Sequence, residues 1–417
     1  MNYAKTRQAC YFAYLSMSSV FSLPPLLFVT FREMYGISYT LLGTLVLVNF
    51  CTQLTVDLIF SFFSRFFNVH KTVKVMPLLT TAGLLLYAIV PTLLPQYAYL
   101  GFLAGTVVFS VSAGLSEVLL SPVIAAIPSE HPEKDMSMLH SLFAWGVVSV
   151  VVISTVFLNL FGRENWMYLT AFLALFPVVA AYLFAISPMP NMDISNQKDT
   201  GSKNNRGVGL ALCVACIFLG SAAENTMSQW ISGFLENALH VPKSAGDIFG
   251  MAMFSVLLGV VRTLYARFGP SIYKVLVWSM AGAALCFLVV GLSENVLLAF
   301  LACVLTGCCT SMLWPGSLIL MEEKIPAPGV AAYALMAAGG DFGASVAPQL
   351  LGVIVDRVSV SLWATEIASK FSLSTEQLGM KAGMLAAAVF PTLGVVLLLY
   401  MKCYFRRQKA MDQKGNA

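Results

Sequence analysis

Twelve apolar stretches, each long enough to cross a lipid bilayer, constrain the fold of this chain more than any other feature. A helix of about 20 apolar residues spans the hydrocarbon core, and it satisfies its own backbone hydrogen bonds there. Of the 417 residues, 58% are hydrophobic and 11% are charged, against about 25% charged in soluble domains. The sequence therefore predicts an all-α integral membrane protein, with spans near residues 9–31, 39–64, 74–94, 97–127, 137–160, 165–186, 208–235, 245–266, 272–292, 295–320, 329–355 and 381–404.

A polar stretch divides these spans into two groups of six. Residues 188–207 contain Asn, Ser, Lys and Pro but few large apolar side chains, a composition typical of flexible linkers. We therefore expect a first six-helix bundle from residues 1–187, a cytoplasmic linker at 188–207, and a second six-helix bundle from residues 208–417.

A short internal repeat supports this division. Gly114 and Pro122 in the fourth span have the same spacing as Gly307 and Pro315 in the tenth. Because parallel six-helix repeats characterise one class of transporter, the repeat indicates a duplicated architecture with two pseudo-symmetric halves.

The basic residues predict the orientation of the spans. Placing both termini in the cytoplasm puts most of the 24 Lys and Arg residues on inner segments, as the positive-inside rule requires. Lys402, Arg406 and Arg407 then anchor the C-terminal end. The net charge of +4 follows from this topology and is no evidence for a nucleic-acid partner.

Glu117 lies well inside the fourth span. A carboxylate in hydrocarbon costs about 3 kcal/mol or more unless it faces a polar cavity, has a partner or takes up a proton. Ser110, Gly114 and Ser121 share its helical face, and Pro122 is expected to kink the helix. Glu117 is therefore a candidate for proton coupling or substrate contact, and a structural hydrogen bond is the alternative.

A second polar stripe follows helical spacing in the seventh span. Its members are Ser221, Glu224, Asn225, Ser228 and Ser232, so each half of the chain has a carboxyl group inside the membrane. Glu224 is the second candidate for proton coupling, again with a structural role as the alternative.

The candidate substrate-binding residues are polar or aromatic side chains within the spans. Carboxylates, amides and imidazoles can bind sugar hydroxyl groups, and indole rings can stack on the apolar face of a sugar. The alternative for the histidine is a solvated start of the fifth span, and for the tryptophans it is ordinary packing or interface anchoring. The predicted set is Glu224, Asn225, Gln229, Trp230, His140 and Trp314.

Four other charged residues are candidates for a gate or an ion pair. Asp57 and Arg262 are expected near the cytoplasmic ends of their spans, where they would form a gate ion pair or network. Asp341 either pairs with Arg262 or faces the cavity, and Arg65 belongs to the basic loop after the second span.

Several function classes lack their motifs in this sequence. There is no phosphate-binding loop of the Walker type, no nucleophile–base motif and no metal-binding cluster, so we expect neither an enzyme nor a cofactor-dependent protein. Cys213 and Cys216 form a C-x-x-C pair inside an apolar helix, which indicates membrane packing. The proton gradient is the expected energy source.

With these motifs in view, the chain resembles the major facilitator superfamily, and within it the fucose–galactose–glucose/proton symporter group. The acid five residues before a proline, Glu117 to Pro122, is similar to the fourth span of that group. The Glu224 to Trp230 spacing and the glycine-rich Gly339-Gly-Asp-Phe-Gly stretch of the eleventh span are similar too.

The sequence departs from the group at two sites. The superfamily pattern Gly-x-x-x-Asp-Arg-x-Gly after the second span becomes Ser61, Arg65, Phe66 and Asn68 here, so a base replaces the gate acid. Val20 stands where the fucose symporter has an acid in the first span.

The resemblance implies a central cavity lined by Glu117 and Glu224, between two bundles that alternate access to the two sides. It implies proton-coupled uptake of a small polar solute, with a sugar favoured, by a monomer in the lipid bilayer of a bacterial cytoplasmic (inner) membrane. The alternatives are a proton-coupled exporter of drugs or cationic metabolites, and a non-transporting sensor or scaffold with a transporter-like body.

Overall fold

The described part of the chain is helical, with short turns between the helices. The computed structural model describes residues 3–63, 67–129, 132–190, 206–268, 271–325 and 329–415. The helices are α1 (Ala4–Tyr35), α2 (Tyr39–Phe63), α3 (Val69–Leu93), α4 (Ala98–Ala125), α5 (Pro132–Phe161), α6 (Trp166–Leu173), α7 (Leu175–Ala185), α8 (Arg206–Asn237), α9 (Lys243–Ala245), α10 (Met253–Phe268), α11 (Ile272–Leu292), α12 (Val296–Thr310), α13 (Leu313–Lys324), α14 (Gly329–Ser359), α15 (Leu362–Lys370), α16 (Thr375–Ala387) and α17 (Val389–Gly415).

Twelve segments of these helices are long and apolar enough to cross a membrane. Four of them are composite. The sixth span joins α6 to α7, the eighth runs from α9 through a π-helical segment, Gly246–Ala252, into α10, the tenth joins α12 to α13, and the twelfth joins α16 to α17. The predicted all-α membrane architecture with twelve transmembrane helices is confirmed.

The chain forms two compact units. The first contains Met1–Asn196 together with Gln229–Val256, and the second contains Gln197–Ser228 together with Leu257–Ala417. The division passes through α8, so the C-terminal part of that helix and the start of the eighth span pack with the first six spans. The proposed boundaries of the two bundles stay a prediction, and residues 191–205 of the expected linker lie outside the described residues.

An aromatic cluster forms part of the core of the first unit. Phe31 of α1 packs its ring on Phe102 of α4 with 4.1 Å between centroids, and on Trp166 of α6 at 5.0 Å. Tyr87 of α3 is 4.9 Å from Phe102. Such rings bury large apolar areas and prefer the offset and edge contacts seen here, so the cluster ties four spans together.

The two prolines of the internal repeat have different effects on their helices. α4 continues through Pro122 to Ala125, so the expected kink produces no interruption there. The tenth span is interrupted at Ser311 and Met312, between α12 and α13. Pro315 has no backbone N–H to donate to the carbonyl four residues earlier, and that carbonyl belongs to Ser311. At the break, the carbonyl oxygen of Ser311 therefore has no amide donor at the i+4 position.

A short helix, α15, lies between the eleventh and twelfth spans. Leu362, Trp363 and Phe371 are exposed, whereas Ala364 and Ala368 are buried. The large apolar side chains of this segment are therefore directed away from the protein.

Candidate functional site

An ion pair inside the second unit is the most developed polar arrangement among the predicted site residues. Arg262 of α10 donates from Nη2 to both carboxylate oxygens of Glu224 on α8, at 3.2 and 3.5 Å. The Arg262 side chain is 36% exposed and that of Glu224 is 17% exposed. Both residues lie within membrane-crossing segments, where charged side chains require a partner or an aqueous environment.

The same guanidinium group also binds the break in the tenth span. Arg262 Nε donates to the carbonyl oxygen of Ser311 at 2.8 Å, which is the acceptor that Pro315 leaves without an amide donor. A planar guanidinium can bind a carboxylate and a carbonyl at once because its N–H groups are fixed in different directions. Arg262 therefore joins α8, α10 and the interruption between α12 and α13.

Small residues bring the neighbouring helices close to this pair. A methyl group at Gly343 of α14 would lie 2.2 Å from the carbonyl oxygen of Phe218 on α8, so only glycine permits this contact. A methyl group at Gly340 would lie 2.3 Å from the ring of Trp314 on α13. The glycine-rich stretch of the eleventh span thus allows close helix contact, as such stretches do in membranes.

The other predicted residues of the second unit lie on these helices. Asn225 follows Glu224 on α8, is half-buried, and donates from Nδ2 to Ser221. Trp314 is half-buried beside Gly340. Asp341 of α14 is buried. From the sequence, Asp57 and Asp341 were the expected partners of Arg262, whereas the structure pairs Arg262 with Glu224, a predicted coupling residue.

In the first unit, Glu117 lies half-buried on α4. The stripe that contains it packs against α2. Ser110 donates to Asn49 Oδ1 at 2.6 Å, and a methyl group at Gly114 would lie 3.2 Å from Cα of Gln53. The part of the stripe that contains Ser110 and Gly114 therefore packs against α2. Asp57 is buried further along α2.

Gln229 and Trp230 are both buried in the first unit. The ring of Trp230 is 5.7 Å from the rings of Phe28 and of Tyr39, between centroids. These contacts correspond to the packing alternative for this tryptophan. His140 lies on α5, but its side chain is outside the described residues, and Arg65 also lies outside them.

A buried charged cluster at the start of the eighth span was missed by the sequence analysis. Asp247 is 1% exposed and Lys243 is 10% exposed, and their charged groups are 2.8 Å apart. Ser232 of α8 donates to the same Asp247 oxygen at 2.6 Å, and Thr155 of α5 donates to the other at 3.4 Å. A lysine and an aspartate four residues apart in an apolar segment were the available signal.

Two further ion pairs lie near the ends of α1, α5 and α8. Arg163, which follows α5, pairs with Glu236 near the end of α8 and with Glu33 of α1, the latter at 3.3 Å. Within the described residues, no group of three or more His, Cys, Asp or Glu is arranged to hold a metal ion, and none of the nine cysteines, all of which are described, forms a disulfide.

Comparison with known proteins places the chain in a family. The family model of the Major Facilitator Superfamily matches residues 10–348. The chain belongs to this superfamily. The predicted superfamily and its fold are thereby confirmed, and the molecule is a multi-pass membrane protein of a transporter family. Comparison with curated proteins found no match.

Solved structures of transporters share the fold over nearly the whole chain. A bacterial homologue of the human lysosomal transporter Spinster is 11% identical, with a TM-score of 0.72 and coverage of 95% of this chain and 96% of that one. A D-xylose–proton symporter is 13% identical, with a TM-score of 0.72 and coverage of 94% and 97%. The POT family transporter PepTSo is 12% identical, with a TM-score of 0.70 and coverage of 96% and 99%. At these identities the likeness concerns the fold alone.

Proposed function

We propose that the chain is a proton-coupled secondary transporter that takes up a small polar solute, with sugars and their derivatives favoured. The observation that carries this proposal is the Glu224–Arg262 ion pair at the proline break of the tenth span. Interrupted helices and charged side chains near the middle of the membrane are features of transporter binding sites. The D-xylose–proton symporter among the structural neighbours supports the same class of solute.

The proton would act by changing the charge of a carboxyl group inside the membrane. Glu224 can be ionised and paired with Arg262, or protonated and neutral. A solute therefore meets either a closed ion pair or a neutral carboxyl group beside an unpaired guanidinium. Alternating access then carries the loaded site from one side to the other. Glu117 is the second coupling candidate, because a neutral carboxyl group crosses a dry intermediate at a lower cost than a carboxylate.

The proposed setting is a bacterial cytoplasmic membrane with both termini in the cytoplasm and a monomeric chain. The proton gradient supplies the energy, and no bound cofactor is required. Export of lipophilic cations is the competing function. The guanidinium group of Arg262 beside Glu224 disfavours it, because a cation at that carboxylate would be repelled.

Purified protein in liposomes tests the proposal. A proton gradient, acid outside, should drive accumulation of a labelled polar solute from a panel of sugars, sugar acids and organic cations. Glu224→Gln should abolish accumulation, because the glutamine cannot take up the proton, whereas Glu323→Gln on the exposed end of α13 should behave as the wild type.

Two outcomes would contradict the proposal. Accumulation of organic cations against the gradient, without transport of polar neutral or anionic solutes, would favour the exporter. Failure of the wild-type protein to move any solute of the panel would favour the non-transporting sensor or scaffold.

A further inference from the structure

We propose that Arg262 is the anion-binding group of the site, and that the substrate is a small polyhydroxylated carboxylate which replaces Glu224 on the guanidinium when Glu224 is protonated. This inference rests on the proposed function and names its substrate class. The described contacts of Arg262, together with the chemistry of its two partners, carry the argument.

The positive charge of Arg262 requires a counter-charge inside the membrane. An arginine side chain keeps its positive charge in proteins, and a charge within a membrane span requires a counter-charge. Glu224 supplies it, with Nη2 of Arg262 3.2 Å from Oε1. When Glu224 accepts a proton, the guanidinium loses that counter-ion, and an unpaired charge in this environment is strongly unfavourable. The protonated site therefore binds an anion, whereas the deprotonated site does not need one.

The second step concerns geometry. Arg262 Nε is held by the carbonyl oxygen of Ser311 at 2.8 Å, and this contact does not depend on the charge of Glu224. The guanidinium is thus anchored on one side by the helix break, and the Nη2 side is where the partner exchanges. More than a third of the Arg262 side chain is exposed, so an incoming carboxylate can reach it. Arginine binds carboxylates in a planar, often bidentate arrangement.

The third step concerns the rest of the substrate. Asn225 and Ser228 lie beside Glu224 on α8 and are half-buried. Asn225 donates from Nδ2 to Ser221, which leaves its carbonyl oxygen to accept a hydroxyl group. The half-buried ring of Trp314 on α13 offers an apolar surface. A carboxylate on a hydroxyl-rich carbon skeleton, such as a uronic acid, fits this combination.

Other titratable groups surround the pair without changing this reasoning. Arg262 is the charged group in ion-pair contact with Glu224, and Glu323 and Lys324 pair with each other at 3.8 Å on the exposed end of α13. The other described titratable groups on these helices are Cys213, Cys216 and Glu236 of α8, Tyr265 of α10, Cys303, Cys308 and Cys309 of α12, and Asp341, Asp356 and Arg357 of α14.

The charge balance of a transport cycle follows directly. One proton binds Glu224 and one carboxylate binds Arg262, so the loaded site has the same net charge as the empty ion pair. Inside the cell, loss of the proton restores the Glu224 carboxylate, which displaces the substrate from Arg262. The Glu224–Arg262 site therefore carries one proton for each carboxylate, without a change in its own net charge.

The test uses matched sugars that differ in a single carboxylate. Glucuronate is compared with glucose, and galacturonate with galactose, by calorimetric binding to the purified full chain and by uptake into liposomes. We expect the uronates to bind about 30-fold or more tightly than the neutral sugars, and more tightly at acidic than at alkaline pH.

Two variants separate the inference from a folding defect. Glu224→Gln should keep uronate binding and lose its pH dependence, since glutamine mimics the protonated acid. The double variant Glu224→Gln with Arg262→Gln leaves no unpaired charge in the span, so it should fold, and it should lose the preference for uronates.

The outcomes distinguish this inference from the proposed function. Proton-driven uptake of glucose or galactose without binding of either uronate would overturn the inference and leave the proposed function intact. No proton-driven uptake of any solute of the panel, the four sugars included, would overturn both. Uronate binding that survives in the double variant at the wild-type preference over neutral sugars would also overturn the inference.

Discussion

Arg262 binds two partners, and neither could be assigned to it from the sequence. Its position inside the eighth span marked it as unusual, but its partners lie on two other spans, and spacing along the chain cannot show which helices meet. The sequence predicts a cytoplasmic gate pair for Arg262. The structure joins Arg262 to Glu224 on α8 and to the acceptor at Ser311, in the break between α12 and α13.

Glu117 offers a prediction at the scale of one residue. Glu117→Gln removes the proton-binding group but keeps its size and one hydrogen-bonding oxygen, so it should abolish proton-driven accumulation while counterflow exchange continues. Counterflow measures reorientation of the loaded carrier without net proton movement. The exposed Glu366→Gln on α15 is the control and should behave as the wild type. Uphill uptake at the wild-type rate in Glu117→Gln would remove this residue from the coupling machinery.

The buried pair Lys243–Asp247 leads to a prediction of stability. Lys243→Met leaves the Asp247 carboxylate buried without its counter-ion, which costs about 3–5 kcal/mol. Adding Asp247→Asn removes the second charge, so the double variant should recover most of the loss. The melting temperature of the purified protein in detergent checks both. Equal melting temperatures for the single variant and the wild type would show that the pair contributes nothing.

At the scale of elements, the two prolines of the internal repeat have the same spacing in the sequence but different effects on their helices. The common spacing from glycine to proline in the fourth and tenth spans predicted related helices, and it predicted a disturbance near Pro122. The structure has the interruption at Ser311 in the tenth span instead, and α4 is continuous. The sequence shows which proline lacks the N–H donor, but whether the helix is interrupted there depends on its packing. In the tenth span, Arg262 donates to the carbonyl oxygen that has no amide donor.

Pro315→Ala tests that explanation. Alanine restores an N–H group, which can donate to the carbonyl of Ser311 and compete with Arg262 Nε. We expect unchanged or slightly higher thermal stability, but substrate affinity lower by about tenfold, because the guanidinium loses its anchor. Pro348→Ala in the unbroken α14 is the matched control and should leave the affinity unchanged. Wild-type affinity in Pro315→Ala would show that the break does not position Arg262.

At the scale of the whole molecule, the sequence was most informative about features that depend on a single contribution to the free energy. The transfer of apolar side chains into lipid fixes the number and approximate length of the spans, and all twelve were predicted. Polar arrangements depend on which spans touch, so Glu224 was found by its helical stripe while its partner was not. The Lys243–Asp247 pair was not predicted, although its i, i+4 spacing is visible in the sequence, because charged residues at the start of a span are ordinarily solvated and their burial depends on the neighbouring helices.

The orientation of the molecule gives the last prediction. α15 and the C-terminal end of α17 lie at opposite ends of the twelfth span, so they face opposite sides of the membrane. Cys403 is exposed on α17 among Lys402, Arg406 and Arg407, and the positive-inside rule places it in the cytoplasm. In intact cells, a membrane-impermeant maleimide should therefore label a sole cysteine introduced by Thr365→Cys on α15. It should label a sole Cys403 only after the cells are permeabilised. Labelling of Cys403 in intact cells would show that the topology is the reverse of the predicted one. The proton gradient would then drive the Glu224 site in the opposite direction.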